Sequence, residues 1–327
     1  DFVSGDPGQA ARINVRGLTS INGGSPLILI DGIASDANEL NRLLPEDIES
    51  ISVLKDAASA AIYGARAAFG VILITTKTGR SDKIQVDYNN SFTWKRPSIL
   101  PEKSSDPYIY LKTKNIAVLN TPWSGGHVAS DERLEWARQK SDNPSLDPVR
   151  LNPLDDTQWE YMGNEDWTSY FIDKITFSTS HQVAVSGKTD KTTFYVSGGY
   201  DRENGVLSKI VENDLYERYN MRVKGTYDVS SWFTLSNNTS YVSTKRLKPG
   251  YFWSSDMAMF YNLAPQDHDL NPDGTWANNA AGRLMARLND GGEDLRKYDR
   301  IQSTFGGELN LFKKLLKINA NYSFVKG

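Results

Sequence analysis

The 327-residue chain contains no cysteine. That excludes a disulfide framework, a cysteine-based zinc site and a thiol nucleophile, while remaining compatible with an oxidising compartment. Histidine is scarce. His127, His181 and His268 lie far apart and match no metal-ligand spacing, so structural or solvated roles are expected. Neither charge sign dominates: 37 basic against 40 acidic residues gives a formal net charge of −3, which is no footprint for nucleic acid. No apolar run is long enough for a membrane-spanning helix, and mean hydropathy is −0.50. This leaves open a membrane crossing made by strands, which hide apolar residues by alternating them with polar ones. There is no GxGxxG and no P-loop, so energy for uphill work has to come from a partner. Asp1–Gly5 shows no basic-then-apolar leader pattern, and both ends read as cuts through a longer protein.

What is present is organised around residues 46–79. Ile48, Ile51, Val53 and Leu54 form a short run typical of a buried strand. Asp56 is placed to cap a helix over 56–63, and Ala57, Ala58, Ala60 and Ala61 extend it cheaply. Tyr63-Gly64 should end it, because glycine takes the left-handed conformation without a Cβ penalty. Gly70 then opens a second apolar strand through Thr76. Two strands joined across a helix indicate a small α/β unit. Upstream, 12–16 and 26–31 read as strands, 36–43 as helical, and the Gly/Ser/Asn-rich 17–25 as loop.

The character changes near residue 82. Ile84, Val86, Tyr88, Phe92 and Trp94 alternate with polar residues, interrupted on that side only by Asn90. The same period of two returns at 215–228, 300–311 and 316–324, and less cleanly at 175–187, 191–201 and 232–244. These strands number about seven. Residues 188–190, 229–231 and 313–315 are short turns, whereas 96–174, 202–213 and 245–299 are long connections. Short turns at one end and long loops at the other are the layout of an outer-membrane barrel. Its polar face, with Arg222, Lys224 and Glu308, would line a lumen; aromatics near strand ends, Trp94, Tyr227 and Trp232, would meet lipid. A soluble β-rich ligand-binding or adhesion module is the alternative, since soluble sheets also alternate.

The sequence EDIESISVLKDAASAAIYGARAAFGVILITTKTG resembles the end of the plug domain of SusC/RagA-type TonB-dependent outer-membrane transporters. Ile13–Gly17 and Pro26–Gly32 are similar to the two preceding plug motifs, in the same order. Asp166-Trp167, Ser186-Gly187, Tyr195–Tyr200 and Arg218–Asn220 resemble the opening barrel strands. The resemblance implies an α/β plug domain over 1–80 followed by an antiparallel transmembrane β-barrel over 81–327, incomplete, with extracellular loops at 96–174 and 245–299. It departs from the family in starting after the usual N-terminal extension, and in having about seven strands where large plugged barrels have about 22. It implies no enzyme activity and no cofactor. It implies import of a glycan or peptide across the outer membrane, a SusD-like surface lipoprotein as cap, and TonB with its inner-membrane complex as energy source. The plug motif residues would be Arg16, Gly17, Asp31, Gly32, Lys55, Asp56, Tyr63, Gly64, Arg66 and Gly70, with Arg16 and Lys55 holding the plug to acidic residues of the barrel wall.

Other chemistry is weaker. Ser52–Lys55, Ser141–Asn143 and Lys77–Gly79 match the three short signatures of serine β-lactamases, but in the wrong order and with Ser52 inside a strand. Asp269, Asn271 and Asp273 match the first half of a calcium loop, yet Ala280 stands where a bidentate glutamate belongs and Pro272 stiffens the turn. The long connections carry Trp123, Trp253 and Trp276, aromatic faces suited to stacking on a ligand or to pinning the loops to themselves.

Overall fold

The computed structural model describes residues 7–8, 25–55, 61–67, 69–98, 100, 102–121, 127–207, 210–211, 214–250, 260, 262–312 and 315–327. The first unit is a four-stranded sheet built from β1 (Leu27–Ile30), β2 (Ile33–Ser35), β3 (Ile48–Leu54) and β4 (Val71–Thr76), in the order β2-β1-β4-β3. Between β1 and β2 the turn is only Asp31-Gly32, with φ of 48° and 83°. A two-residue hairpin turn of this kind needs positive φ at both positions, which suits Asp-Gly. β1 and β4 are parallel, and β3 pairs antiparallel with β4.

Helix α1 (Ala37–Arg42) is capped by Asp36, whose carboxylate accepts from the Glu39 amide at 2.8 Å. Leu40 and Leu43 pack with Ile28, Ile30, Ile72 and Ile74 on one face of the sheet; Tyr63, Ala67 and Leu54 pack with Leu29 and Val71 on the other. Two expectations change here. β3 is an edge strand, so Ile51 and Val53 are exposed rather than buried. The expected helix over 56–63 falls partly outside the described residues, and Ala61–Ala67 is a 3-10 segment that runs on past Tyr63-Gly64, kinked at Gly64 (φ 66°, ψ −156°). Gly64 does take the positive φ; it bends the segment instead of ending it. The expected strand at 12–16 lies outside the described residues.

The second unit is one antiparallel sheet of seven strands: β5 (Gln85–Lys95), then β8 (Thr176–Lys188), β9 (Thr192–Asn204), β10 (Leu215–Ser230), β11 (Phe233–Pro249), β12 (Glu293–Leu311) and β13 (Leu316–Lys326), each beside its neighbour in that order. All seven correspond to the alternating stretches of the sequence. β11 and β12 extend well into the range read as loop, to Pro249 and back to Glu293. The ladder continues there although the apolar alternation has stopped, because Lys245, Arg246, Lys248, Arg296 and Lys297 replace it.

The two faces of this sheet differ. On one, Val86, Tyr88, Phe92, Trp94, Val183, Val196, Tyr219, Met221, Val223, Tyr227, Leu235 and Phe305 are exposed. On the other, Gln182, Tyr195, Ser197 and Arg222 are buried against the first unit. An apolar exposed face and a polar face turned to the plug are the reverse of a soluble sheet on its core.

The long connections fold. Residues between β5 and β8 form α2 (Pro107–Leu119), α3 (Asp131–Asp142), the hairpin β6 (Val149–Asn152) with β7 (Asp155–Tyr161), and α4 (Trp167–Phe171). α5 (Ala280–Asp290) precedes β12. Trp167, Phe171, Leu207, Val211, Phe260, Leu263, Leu284, Met285 and Leu288 then share one core contributed by three separate connections, with Phe171 and Phe260 stacked at 4.6 Å.

Candidate functional site

The two units meet on a buried cluster of charge. Asp47 closes the 3-10 turn Pro45–Asp47 that leads into β3, and it is 3% exposed. A carboxylate that deep is costly unless its lone pairs are filled and its charge is matched. Four wall side chains do this: Tyr195 Oη donates at 2.8 Å, Ser197 Oγ at 2.7 Å, Gln182 Nε2 at 3.3 Å and Arg222 Nε at 3.2 Å.

Asp31, in the β1–β2 turn, takes the other half. It accepts from the Thr76 amide at 2.9 Å and hydroxyl at 2.5 Å, from Lys224 Nζ at 3.1 Å and from Asn238 Nδ2 at 2.7 Å. Lys224 also donates to the Thr76 carbonyl at 3.0 Å and hydroxyl at 2.9 Å. Arg222 reaches Asn238 Oδ1 at 3.1 Å and passes within 3.9 Å of Asp31. Burial alone would raise the Asp31 carboxyl; the Thr76 hydrogen bonds and the Lys224 charge outweigh it and hold it below the ordinary 3.8. Two plug acids thus face two wall bases.

Further along the same wall strands, the C-terminal end of α1 is clasped. Arg218 Nη1 donates to the Asn41 carbonyl and Asn220 Nδ2 to that of Arg42, both at 2.7 Å. A cation at a helix C-terminus fills an unpaired carbonyl and opposes the helix dipole. Tyr298 Oη donates to Glu39 Oε1 at 2.9 Å and Arg300 pairs with Glu39 at 3.2 Å, while Arg42 stacks over the Tyr298 ring at 3.9 Å. Glycine lets the surfaces close: a Cβ at Gly199 would lie 2.7 Å from Leu44, which is 2% exposed.

Of the residues singled out in the sequence, Asp31 and Gly32 lie at this seat. Gly70 (φ 96°) opens β4, and its carbonyl accepts from Leu27 at 3.0 Å. Tyr63 packs under the sheet, while Lys55 and Arg66 are exposed. Arg16, Gly17, Asp56, Trp123 and Trp253 lie outside the described residues. Trp276 packs against the loop core and its indole N–H donates to Asp290. Asp269 and Asn271 accept from Tyr170 and Tyr161, both at 2.8 Å, and Asp273 accepts from the Thr275 hydroxyl at 2.7 Å. Among the described residues no group of three His, Cys, Asp or Glu is arranged for a metal ion.

The resemblance places Arg16 and Lys55 on wall acids; Arg16 lies outside the described residues and Lys55 is exposed. The described seat is a different contact, in which the plug supplies the acids Asp31 and Asp47 and the wall supplies Arg222, Lys224 and Asn238. The visible signal was two basic residues, Arg222 and Lys224, two apart on the polar face of a clean strand.

The profile of the TonB-dependent Receptor Plug Domain matches residues 1–71. TonB-dependent receptor P3 of Formosa agariphila is 29% identical over 85% of this chain and 24% of its own length. TonB-dependent receptor SusC of Bacteroides thetaiotaomicron is 34% identical over 62% of this chain and 18% of its own length. The chain therefore spans a quarter or less of the curated relatives it matches. Two solved structures of the RagAB peptide importer, 'open-open' and 'closed-closed', superpose over 93% of this chain and about a third of theirs, with TM-scores of 0.65 and 0.64 at 20% and 21% identity.

Proposed function

We infer, from a chain that is a SusC/RagA-like TonB-dependent receptor in its plug domain and its seven barrel strands, that the whole protein imports a nutrient across the outer membrane. The observation that carries this reading is the orientation of the strand wall. Its polar face grips a plug through Asp31 and Asp47, and its exposed face is apolar. As a soluble module the same chain would hold Tyr219, Met221, Val223 and Tyr227 against water along a single strand.

No chemistry is done on the cargo in this reading. The plug rests in one state, seated on Arg222 and Lys224, and a pull from the periplasm favours a second in which the seat is broken. TonB and its inner-membrane complex supply the pull. A SusD-like lipoprotein caps the side of the folded connections, at residues 96–174 and 245–299. The cargo is a glycan or a peptide.

Uptake tests this reading in cells carrying the whole receptor. Deleting the gene, or removing TonB, should abolish accumulation of the labelled cargo. Accumulation that persists without TonB would refute active import.

A further inference from the structure

The chain passes from plug to wall through Lys77–Ser81, a strap tied on both sides. Toward the plug, the Lys77 amide donates to the Asp47 carbonyl at 2.8 Å. Toward the wall, the Lys188 amide donates to the Ser81 carbonyl at 2.8 Å. Between these bonds Gly79 is buried against the rung where Gly187 of β8 and Phe194 of β9 pair. A Cβ at Gly79 would overlap the carbonyl oxygens of both. Only glycine lets the backbone approach this closely. Main chain makes these contacts, so they do not depend on the charges that hold Asp31 and Asp47.

Fixing Gly79 shortens the leash on the plug. Thr78 is the one residue between the plug bond at Lys77 and the wedge at Gly79. With the wedge in place, the chain free beyond β4 is Lys77 and Thr78, about 7 Å at full extension. With it lost, the free chain runs from Lys77 to Ile84, about 28 Å.

β10 measures how far each contact lies from this point. Phe194 pairs with Gly225, and the seat residues Lys224 and Arg222 follow directly along the strand. Asn220 and Arg218, which clasp the end of α1, come after them. At the strand rise, Arg222 lies about 10 Å and Arg218 about 23 Å from the strap.

We propose that the strap is a fixed pivot. When Arg222 and Lys224 release the plug, it swings about Thr78, with the end of β4 held to the wall and α1 travelling furthest, and it does not leave as a free body. Hinges of this kind are a few element-terminal residues that absorb the dihedral change. The inference rests on the import reading and specifies the second state of the plug.

Distances between spin labels in the purified whole receptor test the pivot independently of uptake. Two label pairs use exposed positions: Lys77 with Lys188 across the strap, and Asn38 with Lys297 across the clasp. Arg222→Ala, which breaks the seat, should broaden the distance distribution of the clasp pair and leave the strap pair narrow. Gly79→Ala, which keeps the seat but expels the strap from its wedge, should broaden the strap pair toward the longer leash. Gly79 lies outside the strands, so the wall should still assemble. A clasp pair no broader than the strap pair in Arg222→Ala, or a strap pair unchanged by Gly79→Ala, would overturn the proposal. Uptake that persists without TonB would instead refute import and leave these distances to decide the pivot.

Discussion

Asp47 shows what the seat demands of single side chains. Its neutralising partner, Arg222, is itself 6% exposed, so removing either leaves the other charged and buried. Breaking a buried pair from one side costs about 3–5 kcal/mol. Arg222→Ala should therefore loosen the plug by roughly that amount, read as faster amide exchange in β3 and β4 with β10 and β11 unchanged. Unchanged exchange in β3 and β4 would show that the cluster does not hold the plug. Asp31 sets the pH response. Its folded pKa lies below 3.8, so its contribution is complete above about pH 4 and is lost as pH falls through the depressed value. Plug protection should stay flat from about pH 5 to 8 and fall only in stronger acid; a loss near neutrality would contradict the assignment. Steric fit is as specific. Gly199→Ala drives a Cβ to 2.7 Å from Leu44 and should cost about 1–3 kcal/mol, part of which Leu44→Ala restores. Additive effects of the two changes in a double-mutant cycle would argue against that contact.

At the scale of elements, the strands were legible because membrane and lumen impose opposite solvents on the two faces of each. Period two is then forced on the sequence, and β10 shows it from Leu215 to Asp228. Val223 lies on the exposed face of that strand. Val223→Arg should cost about 2–4 kcal/mol if it faces the bilayer midplane, seen as loss of heat-resistant assembly in membranes. Normal assembly would place that face in water. The ends of β11 and β12 were not legible, because above the apolar zone nothing enforces alternation. The folded connections were hidden for a different reason. Their core joins Trp167, Leu207, Phe260 and Leu284 from three connections, and no local period records such a meeting. Phe260→Ala should cost that core about 3–5 kcal/mol, exposing the connections to protease while the strands stay resistant. Protection of both would mean that the core is held otherwise.

For the whole molecule, the sequence motifs located the plug but not how it is seated. Asp31 and Lys224 are 193 residues apart, and only the register of β9, β10 and β11 brings Tyr195, Arg222 and Asn238 to one place. The wall supplies the bases and the plug the acids. In the proposed import cycle, a plug that leaves this seat gives each acid and each base back to water, which solvates all four. The account turns on that separation, and the absence of cysteine from this chain makes it measurable. Leu44→Cys with Gly199→Cys places two thiols across a close side-chain contact between plug and wall. In the whole receptor the pair should form a disulfide, stop TonB-dependent uptake, and release it again on reduction. Uptake that continues with the bridge intact, or thiols that never join in the membrane-embedded protein, would contradict it.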